Sequence, residues 1–303
     1  MNKSLKVRKF LVVAAIFSIL SVIVLAWATP GAILFAFCTL AYTFPIFIWL
    51  DRLEPEPKTM RWNAFLWGAG ISVIISSIFN DVTTSFLGSA IAAIFSAPLI
   101  EETMKALGIL SAAKHHQVDS PLDGVIYAGY IGLGFASVEN VLYFSNAISE
   151  NEFGASLIGR GLLSPLAHPY FTLFAGLYIG KAVLKETSRR AAAIKGLLIG
   201  VPLHASWNAM TIYPPLTVLI IGHIALFVIM AIKLARLRRG EIQFVRDHIS
   251  KLAFTHNLSP IELEIFGDLK ATRKMRRKLS KHERHACDIR RTEINRLASK
   301  IGF

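Results

Sequence analysis

The sequence predicts an all-α fold: a polytopic transmembrane helical bundle of about eight spans, followed by a basic helical tail on the cytoplasmic side. Three observations predict it. Of the 303 residues, 53% are hydrophobic and the mean hydropathy is +0.50, above the ~45–50% apolar content of a soluble globular chain. Apolar stretches of about 20 residues recur between residues 10 and 235, each long enough to cross a hydrocarbon layer of ~30 Å. The connections between them are alternately rich in and nearly free of Lys and Arg. The runs are continuous, whereas the strands of a membrane β-barrel alternate apolar and polar residues.

In chain order the spans read as 10–29, 31–50, 62–80, 86–113, 122–147, 157–180, 191–212 and 214–235. The first follows Lys3, Lys6, Arg8 and Lys9. Ala26-Trp27-Ala28 resembles a cleavage site, but the apolar run exceeds the ~7–15 residues of a signal-peptide core, so it reads as an uncleaved anchor. Basic residues return at Arg52, Lys58 and Arg61, at Lys114, and at Lys181, Lys185, Arg189, Arg190 and Lys195. The intervening connections carry none, except that Arg160 opens the sixth span. An even number of spans with both termini cytoplasmic follows from the positive-inside rule.

Two segments result: a membrane domain over 1–235, with its informative core at 98–208, and a tail over 236–303. The tail, with RKMRRK at 273–278, reads as a solvated appendage of short helices, with contact to anionic inner-leaflet lipid as its functional alternative. The net charge of +13 does not point to nucleic acid, because it is arranged for topology and no aromatic-basic interleaving accompanies it. Cys38 sits in an apolar run and Cys287 in the tail, so no mutual disulfide is expected.

Ionisable groups at membrane depth are costly and rare, which makes the few present here candidate functional residues. They are Glu101, Glu102 and Lys105 in the fourth span and Glu139 beside Asn140 in the fifth. His168 lies in the sixth, His204 with Asn208 in the seventh, and His223 in the eighth. A rise of ~1.5 Å per residue puts Glu101 and Asn208 ~20 Å, Glu139 ~24 Å and both His168 and His204 ~14 Å from the inner edge, one central slab. Glu101 and Lys105 share a helix face, with Glu102 turned about 100° away. Gly and Ala residues flank these positions and let the helices approach closely.

Each group also has a plainer reading. Glu101, Glu102 and Lys105 could be a structural ion pair, yet one lysine does not neutralise two glutamates. One carboxyl must then be protonated, metal-bound or in contact with water. Glu139-Asn140 could be structural hydrogen bonding, and His168 and His204-Asn208 helix packing. His223 reads as structural, and His115, His116 and the tail histidines as solvated. The set suits hydrolysis: a carboxylate base for water, donors for an oxyanion, a proton for the leaving amine, or neutral imidazoles for a metal. GxSxG, HExxH and a serine–lysine pair do not stand out. A proton-coupled transporter is the alternative, since buried Glu and His also form proton relays, although no repeat relates the two halves. A catalytically dead scaffold is a third.

Four motifs then stand in order: EETMK at 101–105, DGVIYAGYIGLGFASVEN at 123–140, RGLLSPLAHPYFTLFAGLYIG at 160–180 and HASWN at 204–208. Together they resemble the PrsW-type intramembrane proteases, relatives of the CAAX-endopeptidase-like CPBP/ABI superfamily. The resemblance implies a multi-pass protease of the bacterial plasma (inner) membrane that cuts a membrane-protein substrate, a single-pass anti-sigma-type regulator being the kind associated with the family. It implies catalytic roles for Glu101, Glu102, His168 and His204, and supporting roles for Lys105, Glu139, Asn140 and Asn208. No cofactor is needed if a glutamate activates the water. A divalent metal is the other possibility, with Glu101, Glu102, His168 and His204 as ligands. The expected partners are the substrate and the lipid bilayer, with oligomeric state left open.

Overall fold

A computed structural model describes residues 29–52, 56–115, 117–213 and 216–256, and scattered positions between 259 and 294; within 216–256 some side chains, including that of His223, lie outside the described set. The expected first span, His116 and much of the tail beyond 256, including Arg273, Lys274, Arg276 and Arg277 of RKMRRK, also lie outside the described residues. The described residues are helical, with no strand among them.

The helices are α1 (Pro30–Leu50), α2 (Lys58–Leu87), α3 (89–114), α4 (Pro121–Ser149), α5 (Phe153–Leu184), α6 (Arg189–Ile212) and α7 (Leu216–His256). Four of them, α1, α2, α4 and α5, are long and apolar enough to cross a membrane. Helix α3 differs for a simple reason: every 18-residue window of it contains Glu101, Glu102 and Lys105. Helix α6 is similarly diluted by Lys195, His204 and Asn208. The expectation that the tail is made of short helices needs correction over 236–256. There α7 continues unbroken, through a stretch of helix-favouring Arg, Leu, Lys and Glu residues.

The chain divides into two compact units, one of residues 1–48 and 57–230, the other of 49–56 and 231–303. In the second, Arg238 stacks over the Trp49 ring at 4.2 Å and Asp51 Oδ1 accepts from the Glu56 backbone N–H at 2.9 Å.

The first unit holds the polar core. Helix α4 is apolar around its whole circumference and correspondingly buried. Its start is set by a reciprocal cap: Ser120 Oγ accepts from Asp123 N at 3.1 Å, and Asp123 Oδ2 accepts from Ser120 N at 2.8 Å. Pro121 occupies the first helical position, where a missing N–H costs nothing. Helix α4 packs on the second half of α5, which packs on α6. Two glycines allow the approach. A Cβ on Gly132 would run into the backbone of His168 and Pro169, and one on Gly200 into the carbonyl oxygen of Phe171.

Three irregularities aim groups at the core. Helix α5 has a π-type segment at Leu157–Leu163 and breaks at 164–166, resuming at Ala167 just before His168. The loosened carbonyls are re-paired by side chains: Ser164 Oγ donates to Gly159 O at 2.7 Å, and Tyr42 OH donates to Gly161 O. Helices α2 and α3 carry π-type segments at Trp67–Ser72 and Ala92–Ser96. Trp67 Nε1 ties α2 to α3 by donating to Met104 O at 2.9 Å.

Candidate active site

Helix α3 presents Glu101, Glu102 and Lys105 within little more than one turn, and all three are buried. Lys105 Nζ, with no exposure, is the hub. It lies 2.8 Å from Glu102 Oε1, 3.6 Å from Glu101 Oε2 and 3.0 Å from His168 Nδ1, and sits 3.9 Å from the centroid of the Phe135 ring. The sequence reading put Lys105 with Glu101, on the face shared by residues four apart. The shorter bridge is to Glu102, three apart, because Glu101 turns toward a cavity instead.

The two adjacent glutamates have opposite surroundings. Glu102 Oε1 accepts from Lys105 and from His204 Nδ1 at 3.1 Å, and Oε2 accepts from Thr172 Oγ1 at 2.8 Å. Glu101 Oε1 accepts only a long contact from Asn80 Nδ2 at 3.5 Å, while its buried Oε2 has no hydrogen-bond partner. That oxygen is 3.9 Å from His168 Nδ1 and 3.9 Å from His204 Nε2.

Partners assign the imidazole protons. His168 Nδ1 faces an ammonium, which only donates, so the ring proton sits on Nε2 and goes to Glu139 Oε2 at 2.5 Å. His204 Nδ1 donates to Glu102, which leaves the Nε2 lone pair toward Glu101. Each histidine is held at one nitrogen by a carboxylate, the pattern by which outer carboxylates orient metal-binding imidazoles; the other nitrogen of His204 faces Glu101 Oε2, while that of His168 lies 3.9 Å from the same oxygen and accepts from Lys105. The rings meet edge to face at 5.2 Å between centroids, and Phe171 stacks on His204 at 4.7 Å.

Glu139 Oε2 also accepts from Arg160 Nη1 at 2.9 Å, and Arg160 lies over the Tyr143 ring. Counted with neutral histidines, the network has three carboxylates and two cations, Lys105 and Arg160. The oxygen left without a hydrogen-bond partner in this network belongs to Glu101.

A cavity of about 540 Å³ opens beside it, lined by Glu101, Glu139, Asn140, Arg160, His168, His204 and Asn208 among others. Glu102 and Lys105 stand behind this lining. Asn208 Nδ2 donates to Ala93 O at 2.7 Å, using a carbonyl in the π-type segment of α3. Asn140 is buried at the cavity wall.

Three contributors escaped the sequence reading. Arg160 reads in the sequence as the one basic residue outside the positive-inside pattern, and that anomaly is the available signal. Thr172 lies four residues after His168, on the same helix face, and that spacing is its only signal. Asn80 sits at the end of a span and gave no signal in the sequence.

Comparison with known proteins identifies the family. A profile described as PrsW family intramembrane metalloprotease matches residues 56–235. The chain belongs to the PrsW family. Protease PrsW of Clostridioides difficile is 29% identical over 217 residues, covering 67% of this chain and 87% of that protein. Protease PrsW of Geobacillus kaustophilus is 29% identical over 164 residues, 52% of this chain and 69% of its own length. The Bacillus subtilis protein of the same name is 27% identical over 162 residues, 52% and 72% of the two chains. No solved structure matches the chain. As a member of the PrsW family it is a membrane protease, and the transporter alternative is not favoured.

The family description implies a metal, and the donors present fit one. Glu101, His168 and His204 offer ligand atoms within 4.8 Å of one another. In a tetrahedral zinc site with bonds of ~2.0–2.1 Å, donors lie roughly 3.3 Å apart, so small side-chain shifts suffice. Glu102 does not belong to this set, since both its oxygens are engaged.

Proposed function

We propose that this PrsW-family protease hydrolyses a peptide bond of a membrane-protein substrate, a single-pass anti-sigma-type regulator being the expected kind, with Glu101 as the carboxylate that faces the attacking water. The observation that carries the reading is the buried, unpartnered Glu101 Oε2, set 3.9 Å from each of two histidine nitrogens on a residue that lines the cavity. Glu101, His168 and His204 would hold a divalent ion there. Such an ion supplies Lewis-acid polarisation of water and of the scissile carbonyl.

The chain's own residues do the following. With no ion bound, Glu101 accepts a hydrogen bond from the water, takes up its proton and returns it to the leaving amine. Glu102 fixes the His204 ring, and Glu139, held by Arg160, fixes the His168 ring. Arg160, which also lines the cavity, acts through Glu139 on the His168 ring. Asn208 anchors α6 to α3 beside the site. Lys105 offsets the charge of both glutamates from behind.

The same reading places the chain in the plasma membrane of a bacterium, with eight spans, both termini cytoplasmic and the tail 236–303 as a separate cytoplasmic segment. The basic alternation of the loops supports this. The wider kinship to CAAX-type endopeptidases rests on the four ordered motifs.

The test is cleavage of a co-expressed single-pass substrate by wild type, Glu101→Ala, His168→Ala, His204→Ala and the Glu101→Ala, Glu102→Ala double variant. Full cleavage by a folded double variant would sink the proposal. Dialysis of the purified protein against a chelator, followed by metal analysis and re-addition of zinc, separates the two chemistries. Undiminished activity in metal-free protein leaves Glu101 acting alone.

A further inference from the structure

One wall of the cavity belongs to α2, outside the four motifs. Val73, Ser76, Ser77, Asn80, Asp81 and Thr84 line it, spaced three and four residues apart along a single helix face. Two polar atoms on that face are buried without a hydrogen-bond partner: Ser76 Oγ, on a residue 1% exposed, and Asn80 Oδ1. Native proteins leave few such atoms, so two on the wall of one cavity need a reason. Asn80 Nδ2 donates to Glu101 Oε1, which sets the unpartnered amide oxygen one side chain away from the proposed reacting carboxylate.

The spacing matches one ligand class. Ser76 and Asn80 are four residues apart, about 6 Å along the helix axis. On one edge of an extended strand the N–H groups recur every second residue, about 6.6 Å. From Ser76 to Thr84 the polar face runs about 12 Å, the length of roughly four extended residues.

We propose that the Ser76–Asn80 face of α2 is a substrate-binding ledge that holds the scissile segment as an extended strand beside Glu101, with Asn80 Oδ1 and Ser76 Oγ each accepting a backbone N–H two residues apart. This rests on the proteolytic reading of the site and adds the form in which the substrate is bound. A membrane-spanning helix keeps its amides in internal hydrogen bonds, which shields the scissile carbonyl. Unwinding a turn exposes the bond but strands N–H groups where water is scarce. The ledge re-pairs two of them. The substrate class is therefore a membrane-embedded helix opened over about four residues, recognised through its backbone.

The experiment uses the full chain in phosphatidylcholine liposomes and a synthetic single-pass peptide that wild type cuts. Backbone amides flanking the cut, excluding the scissile bond, are replaced one at a time by esters, each deleting one N–H. Wild type is expected to lose about tenfold in kcat/KM at two ester positions separated by two residues. In Asn80→Leu the loss at one position falls below about twofold, and in Ser76→Ala the loss at the other does. Each comparison is made within a variant, so the separate effect of Asn80 on Glu101 cancels. Ser76→Ala removes one oxygen and keeps the helix, so it carries the test alone if Asn80→Leu fails to fold. Equal ester losses in wild type and variants, or silenced positions an odd number of residues apart, overturn the ledge while leaving the protease reading intact. A wild type that cuts no single-pass peptide overturns both.

Discussion

Glu101 and Glu102 are neighbours in the chain and opposites in the structure. Glu102 faces inward: Lys105, His204 and Thr172 engage both its oxygens, and it has no share in the cavity wall. Glu101 faces the cavity with one oxygen unpartnered and two histidine nitrogens at 3.9 Å. The difference teaches that adjacent acidic residues on a helix, turned about 100° from each other, divide the work. One builds the scaffold that orients the imidazoles, and the other is left under-coordinated and therefore available to water or a cation.

The largest expected effect tests that division directly. Glu101→Gln keeps the shape and removes the basic oxygen. Cleavage should fall about 10²–10⁴-fold, while the thermal midpoint in detergent stays close to wild type. A stable Glu101→Gln that still cuts at the wild-type rate would break the comparison. On the inward side, Lys105→Met leaves Glu102 buried with its main counter-charge gone. It should cost about 3–5 kcal/mol in a denaturant titration, as removal of one partner of a buried pair does. Loss of activity without loss of stability would move Lys105 from scaffold to chemistry.

Arg160→Gln should lower kcat about 10–100-fold, the usual range for a residue that orients a ligand through another, with Arg160→Lys recovering part of it. An unchanged kcat for Arg160→Gln would show that Glu139 holds His168 without help. Thr172→Val removes the hydroxyl on Glu102 Oε2 and should cost about 1.5–3 kcal/mol of stability, the range for a hydrogen bond to a charged group. A kcat effect larger than the stability effect would place Thr172 on the reactive side of the comparison.

Much of this was legible beforehand because membrane depth is a strict filter. A Glu, His or Lys in an apolar span stands out, and the described helices α1, α3, α4, α5 and α6 begin and end within four residues of expected apolar segments, while α2 runs seven residues past the end expected at 80. The pairing within the site was less legible. Helix periodicity put Lys105 with Glu101, but the side chain had two carboxylates in reach, and the cavity on one side of α3 decided between them. Arg160 is less legible because the positive-inside rule concerns loops, whereas Arg160 sits in a broken helix, in a π-type segment, and its side chain donates to Glu139.

The sequence by itself determined the helical class, the places where charge enters the apolar spans, and the order of four motifs, since each is a local property of residue type and spacing. Only the tertiary structure decided which glutamate is engaged and which is left open, which nitrogen of each histidine faces inward, and that α2 adds two unpartnered polar atoms to the cavity wall. Those are consequences of how α4 and α6 approach α5 at Gly132 and Gly200, and α3 approaches α2 at Gly108. A contact between residues a hundred positions apart, such as Glu102 with His204, is written in no local pattern.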